Sequence, residues 1–201
     1  MIHDDSASPV FAAGNESVFE DYSSVDESVH WANFLLLHQF NTDDAVKGFL
    51  LILYKLLDRV ENNKNALLIA GEPKSGKTWF VKKVSSYMVT HGVQKNLSKN
   101  MNFPFQDCVR RRLIIWDEPR CERSQCEDLK LLFGGTDMSV STKHQADALR
   151  QRTPVILMSN DGAFIPDEEA FRSHVWIFVS RKYNMWEKAP KHLHPKALYK
   201  L

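Results

Sequence analysis

Between Gly71 and Thr78 the chain reads Gly-Glu-Pro-Lys-Ser-Gly-Lys-Thr, a match to the phosphate-loop pattern G-x-x-x-x-G-K-S/T. No other feature limits the fold as strongly, because this pattern works only where a buried strand feeds it and a helix leaves it. Ala66–Ala70 (ALLIA) is a short apolar run of the kind buried on both faces of a parallel sheet. From Thr78 to about His91 the spacing predicts a helix, with Gly92 at its C-terminal stop. The residue types suit an anion. Gly71 and Gly76 let the backbone curl so that successive N–H groups converge on phosphate oxygens, and Ser75 lies inside that curl. Lys77 supplies a positive charge, Thr78 offers a hydroxyl to Mg²⁺, and the helix N-terminus adds its partial charge.

The rest of the chain repeats the strand–helix alternation. Residues 1–26 read as linker, small and polar with no periodicity, and a short helix is expected from Ser28 to Phe40. Thr42 reads as an N-cap, with Asp43 and Asp44 in the first turn. Apolar residues from Ala45 to Val60 then recur at helical spacing until Asn62 and Asn63. Residues 93–108 read as an irregular connection holding at most one short strand. Leu113–Trp116 (LIIW), Pro154–Met158 (PVILM) and Val175–Val179 are further buried strands, and Ser124–Phe133 is a helix closed by Gly134 and Gly135. Met138–Arg152 alternates as a hairpin would, with its turn near Lys143–Ala146. The implied class is α/β, with a mainly parallel sheet flanked by helices.

Two polar positions end apolar strands and so fall at the carboxyl edge of such a sheet, beside the phosphate loop. Asp117-Glu118 lies 39 residues after Thr78. One carboxylate there can hold Mg²⁺ and the second can orient or deprotonate an attacking water. Asn160 ends the next strand; its amide either reaches the phosphates or belongs to an Asn160-Asp161-Gly162 turn, and periodicity does not separate the two. Composition excludes other classes. The net charge of +1 gives no global attraction to nucleic acid, though residues 1–30 carry only acids and residues 181–201 mostly bases, as two flexible ends on a neutral core would. The longest uninterrupted apolar run, Phe49–Tyr54, is far short of the ~18 residues that span a membrane. Cys108, Cys121 and Cys126 have no C-x-x-C spacing and read as free thiols.

Taken in order, these blocks resemble the superfamily 3 helicases of small DNA viruses, and in particular the helicase domain of the parvovirus large non-structural replication protein. The likeness is carried by Gly71–Thr78, by Asn102-Phe-Pro-Phe-Gln-Asp-Cys108, by Leu113–Glu118, by Gly134-Gly135 through Lys143, and by Arg152-Thr-Pro-Val-Ile-Leu-Met-Ser-Asn160. It covers about residues 45–180. The resemblance implies an AAA+-like ATPase with a projecting β-hairpin, assembling as a homo-hexamer on single-stranded DNA during genome replication in the host-cell nucleus. It implies that Gly71, Ser75, Gly76, Lys77 and Thr78 bind ATP, that Thr78 and Asp117 hold Mg²⁺, that Glu118 activates water, and that Asn160 senses the γ-phosphate. Lys143 and His144 match the hairpin tip that grips DNA, a task suited to a cation that tracks phosphates without reading bases.

The sequence departs from that family at two points. The family's Arg before the strand that follows the sensor Asn is replaced here by His174, with Arg172 two residues earlier and Arg181 farther on as other candidates for the residue that completes a neighbour's site. Nothing in residues 1–45 supplies the paired His ligands and Tyr expected of that family's nickase domain, and His192-Leu193-His194 is read as a coincidence in the tail rather than a nickase metal site. The expected division is a flexible acidic segment (1–26), a helical collar-like segment (27–62), the ATPase domain (63–182) and a basic tail (183–201). Alternatives to a DNA motor are a small-molecule P-loop NTPase or kinase, and an ATP- and DNA-binding relic or fragment with little turnover.

Overall fold

The computed structural model describes residues 23–88, 90–97, 103–120, 123–143, 146–161, 169–183 and 193–201. Helices α1 (Val25–Phe40) and α2 (Asp43–Leu57) lead into strand β1 (Ala66–Gly71), and α3 (Lys77–Tyr87) leaves the phosphate loop. Then come β2 (His91–Val93), β3 (Leu113–Asp117), α4 (Cys126–Gly134), the pair β4 (Met138–Val140) and β5 (Ala148–Arg150), β6 (Val155–Ser159), α5 (Glu169–His174) and β7 (Val175–Ser180). Short 3-10 turns occupy Gln106–Cys108, Arg123–Gln125 and Pro195–Tyr199.

Five strands form one sheet in the order β2-β3-β6-β1-β7, every neighbouring pair parallel. At its centre Leu68 faces Leu157 on one side and Ile177 on the other. Alternation splits β1 between two cores. Leu67 and Ile69 pack with α1, α2 and α3, while Ala66, Leu68 and Ala70 pack with α4 and Trp116. α1 and α2 thus share a core with the sheet, through contacts such as Phe49 against Phe178 at 4.9 Å between ring centroids. β4 and β5 form a separate antiparallel ladder, Met138 opposite Arg150, and Thr142 Oγ1 donates to the Ala146 carbonyl across the turn.

Three expected boundaries are corrected. α2 stops at Leu57 rather than near Asn62, because Arg59 takes a left-handed conformation (φ 58). The Val60 and Arg59 N–H groups then bond back to the Lys55 and Leu56 carbonyls, the paired closure that usually uses Gly. α3 ends at Tyr87, and Gly92 is not its stop but the centre of β2. A Cβ on Gly92 would lie 2.3 Å from the Asp107 carbonyl oxygen, so Gly is required there by close approach of the Gln106–Cys108 turn. The C-terminal end is also not a free tail from Leu193 onward. Leu193 and Ala197 are buried, Leu198 and Leu201 pack on the core, the His194 N–H donates to Ser28 Oγ, and Lys200 pairs with Asp26 at 2.9 Å.

Candidate nucleotide site

The parallel sheet places the C-terminal ends of β1, β3, β6 and β7 side by side, and a cavity of about 730 Å³ opens there. Its walls include Lys74, Gly76, Lys77, Thr78, Asp117, Glu118 and Asn160. The sheet therefore gathers the phosphate loop, the acidic pair and the strand-ending amide around one space, although they are up to 89 positions apart in sequence (Gly71 to Asn160).

The loop's shape is set by its backbone. Gly71 (φ 145) and Gly76 (φ 95) occupy conformations that a Cβ resists, and Lys74 (φ 65) is held left-handed despite having one. Lys77 is buried. Its Nζ has four acceptors within reach for its three hydrogens: the Gly71 and Glu72 carbonyls, Ser75 Oγ at 3.3 Å and Asn160 Oδ1 at 3.2 Å. Burial pushes its ammonium below the ordinary lysine range, opposed by the charges of Glu118 and Asp117. Asn160 is the link between cation and acid: its own N–H donates to Glu118 Oε2 at 3.2 Å. The amide side chain thus reaches the cavity, while Asp161 takes the neighbouring bond from Ser159 Oγ. Glu118 is held at φ 45, a strained position for a residue with a Cβ, and its N–H is tied to the Met158 carbonyl.

The remaining expected site residues lie elsewhere. β7 runs parallel to β1, so Arg172 and His174, which precede it, stand at the opposite sheet edge, the ~20 Å length of a six-residue strand away from the cavity. Arg172 is exposed, whereas the His174 ring lies against Gly134 and its Nδ1 donates to the Asn63 carbonyl at 2.6 Å. Arg181 is near the cavity, but its guanidinium bonds the His38 and Gln39 carbonyls and Asn41 Oδ1, closing the end of α1. Lys143 is exposed in the β4–β5 turn; His144 lies outside the described residues. The base of that hairpin is anchored by fully buried Arg150, which bonds the Thr136 carbonyl.

Several residues of the site carried no sequence signal. Ser180 Oγ donates to the Ala70 carbonyl and lies 2.9 Å from Ser75 Oγ, the Tyr183 N–H donates to the Lys74 carbonyl, and Gln39 Nε2 donates to the Ser75 carbonyl at 3.0 Å. They brace the loop from behind, and they lie 36 to 109 positions from it, beyond any local pattern (Gln39 to Ser75, Lys74 to Tyr183).

Comparison with known proteins identifies the lineage. The family model described as parvovirus non-structural protein NS1 matches residues 26–164. The chain belongs to the parvovirus NS1 family. Among curated NS1 relatives, the initiator protein NS1 of Bombyx mori densovirus is 32% identical over 94% of this chain, and that of Diatraea saccharalis densovirus is 32% identical over 81%. The chain spans 22% and 30% of their lengths. Among solved structures, JCV helicase superposes with a TM-score of 0.61 at 14% identity, covering 88% of this chain and 54% of that one. The C-terminal region of NrS-1 gives 0.60 at 16% identity, covering 87% and 42%. The AAA+-like fold and the family expected from the sequence are both borne out.

Proposed function

We propose that this NS1-family chain is an ATP-driven translocase that moves on single-stranded DNA during parvovirus-type genome replication in the host-cell nucleus, working as a homo-hexamer. The observation that carries the reading is the convergence of Lys77, Asp117, Glu118 and Asn160 on one cavity floored by the phosphate loop. The donor set suits Mg²⁺. Thr78 and Asp117 offer hard oxygen, and phosphate and water would complete the shell. Bound Mg·ATP would supply the phosphoanhydride to be cleaved. Lys77 would neutralise phosphate charge, Glu118 would take the proton of the attacking water, and Asn160 would report on the γ-phosphate through its bond to Lys77.

Arg172 is our candidate for the residue that completes a neighbour's site, since it is exposed at the sheet edge away from the cavity. Lys143, exposed at the hairpin turn, would contact DNA phosphates. The bonding of His174 and Arg181 also favours a second reading, in which ATP binds but turns over slowly. ATP hydrolysis measured with and without single-stranded DNA decides between them. Turnover that rises with DNA supports the motor, whereas binding without turnover supports the second reading. Retained turnover in Lys77→Ala would overturn the phosphate-loop assignment.

A further inference from the structure

We propose that Gln39, the penultimate residue of α1, is a positioning residue for phosphate binding, which makes this helix part of the nucleotide site. The inference rests on the nucleotide-binding reading of the cavity. The Gln39 amide makes three hydrogen bonds. Oε1 accepts from the Arg181 N–H at 2.7 Å, and Nε2 donates to the Arg181 carbonyl at 2.8 Å and to the Ser75 carbonyl at 3.0 Å. The first two attach the side chain to the backbone just past β7 in the manner of another strand residue, so its position is fixed before the third bond forms.

That third bond orients the phosphate loop. No peptide bond in the described chain is cis, so each carbonyl points opposite to the N–H that follows it. With the Ser75 carbonyl drawn back toward α1, the Gly76 N–H points the other way, toward the side lined by Lys77 and Thr78. The Tyr183 N–H holds the Lys74 carbonyl in the same fashion at 3.1 Å, which directs the Ser75 N–H likewise. Two successive N–H groups held in parallel beside left-handed Lys74 and Gly76 form an anion-binding nest. A peptide free to rotate would spend part of its time presenting its carbonyl to the phosphate instead, and Gly76, having no Cβ, offers little resistance to that flip. Gln39 removes the freedom.

The test compares Gln39→Glu, Gln39→Ala and His38→Ala with the wild-type chain, using calorimetry with Mg·ATP and with Mg·tripolyphosphate, which has no base or sugar. Gln39→Glu keeps the shape and the acceptor for the Arg181 N–H but loses both donated bonds. His38→Ala removes a neighbouring tie of α1, Nε2 to the Lys182 carbonyl at 2.9 Å, without touching a loop carbonyl. We expect both Gln39 variants to weaken ATP and tripolyphosphate by the same factor, roughly 3- to 10-fold, the worth of one such bond. His38→Ala should bind as wild type, and thermal unfolding of the unliganded variants should report intact folding. Unchanged tripolyphosphate affinity in Gln39→Glu, or an equal loss in His38→Ala, would overturn the inference while leaving nucleotide binding standing. Failure of the wild-type chain to bind either ligand would overturn the parent reading as well. If Gln39→Ala does not fold, the isosteric Gln39→Glu decides alone.

Discussion

Asn65→Ala should destabilise the fold more than any surface change near the site. Asn65 is fully buried at the start of β1, six residues before Gly71. Its Nδ2 donates to the Leu132 carbonyl at 3.0 Å and the Thr153 carbonyl at 2.7 Å, and its Oδ1 faces Arg152 Nε at 3.4 Å. Its backbone N–H reaches Phe133 and its carbonyl accepts from Val155. One residue thus ties the end of α4, the link between the hairpin and β6, and the strand that delivers the phosphate loop. Alanine keeps the backbone bonds and removes the amide. Two bonds at about 0.5–1.5 kcal/mol each are lost, and two buried carbonyls are left without that donor, so the cost is about 2–4 kcal/mol. For a chain of this size that lowers Tm by about 5–15 °C. Urea unfolding followed by circular dichroism measures it, and the midpoint should fall with the slope unchanged. A loss below about 1 kcal/mol would mean that water reaches those carbonyls, refuting the view that the amide is a dry tie.

Four further outcomes are expected. Gly71→Ala should cost about 2–4 kcal/mol and weaken ATP binding measured by calorimetry, because φ 145 is unfavourable to alanine and its Cβ would fall 2.1 Å from the Ser180 carbonyl oxygen. Glu118→Gln should cut ATP turnover by about 10²- to 10⁴-fold while leaving the ATP Kd within about 3-fold, in a coupled assay paired with calorimetry. Lys143→Ala should lower the slope of log affinity for single-stranded DNA against log salt by about 0.7 per contact, read by fluorescence anisotropy at several salt concentrations. The buried Cys108 thiol, whose Sγ donates to Gln94 Oε1 at 3.0 Å, is pushed by burial from its ordinary 9.0 up to about 12. From pH 9 to 12 the unfolded chain therefore loses this proton and the folded chain keeps it, so stability should fall as pH rises, by at most ~1.4 kcal/mol per pH unit, and Cys108→Ala should remove that component of the urea midpoint's slope.

What could be read in advance was local. ALLIA, LIIW and PVILM announce strands because a fully buried parallel strand needs an unbroken apolar run, and the phosphate loop announces itself because anion-binding backbone requires Gly at fixed offsets. The end of α2 was hidden because Arg59 does what Gly usually does, held left-handed by two returning hydrogen bonds. β2 was hidden because a three-residue edge strand, His-Gly-Val, has too little apolar surface to register, and its Gly imitates a helix stop. The short helix α5 and the bracing roles of Gln39, Asn65 and Ser180 gave no signal at all. Their partners lie 36 to 142 positions away, and an isolated Gln, Asn or Ser has the same appearance on a surface as in a buried network.

The packed C-terminal end changes how the site should be understood. An isolated phosphate loop has only its own strand and helix to define it, yet here the loop's rear is held by the exit of β7 and by α1. α1 is in turn held at both ends: Ser28 and Asp26 engage His194 and Lys200, and the Arg181 guanidinium closes the last turn. Tyr199 adds a ring contact to Tyr87 of α3 at 5.3 Å. The bonds that preorganise the anion cradle therefore depend on residues from both termini of the described chain. Cutting the chain after Tyr183 would remove the Leu193–Leu201 support of α1 and α3, although it would leave every motif residue in place. Such a truncation should weaken Mg·tripolyphosphate as well as Tm. If phosphate affinity survived while Tm fell, the loop would be shaped by β1 and α3 alone, and the brace would be a matter of stability only.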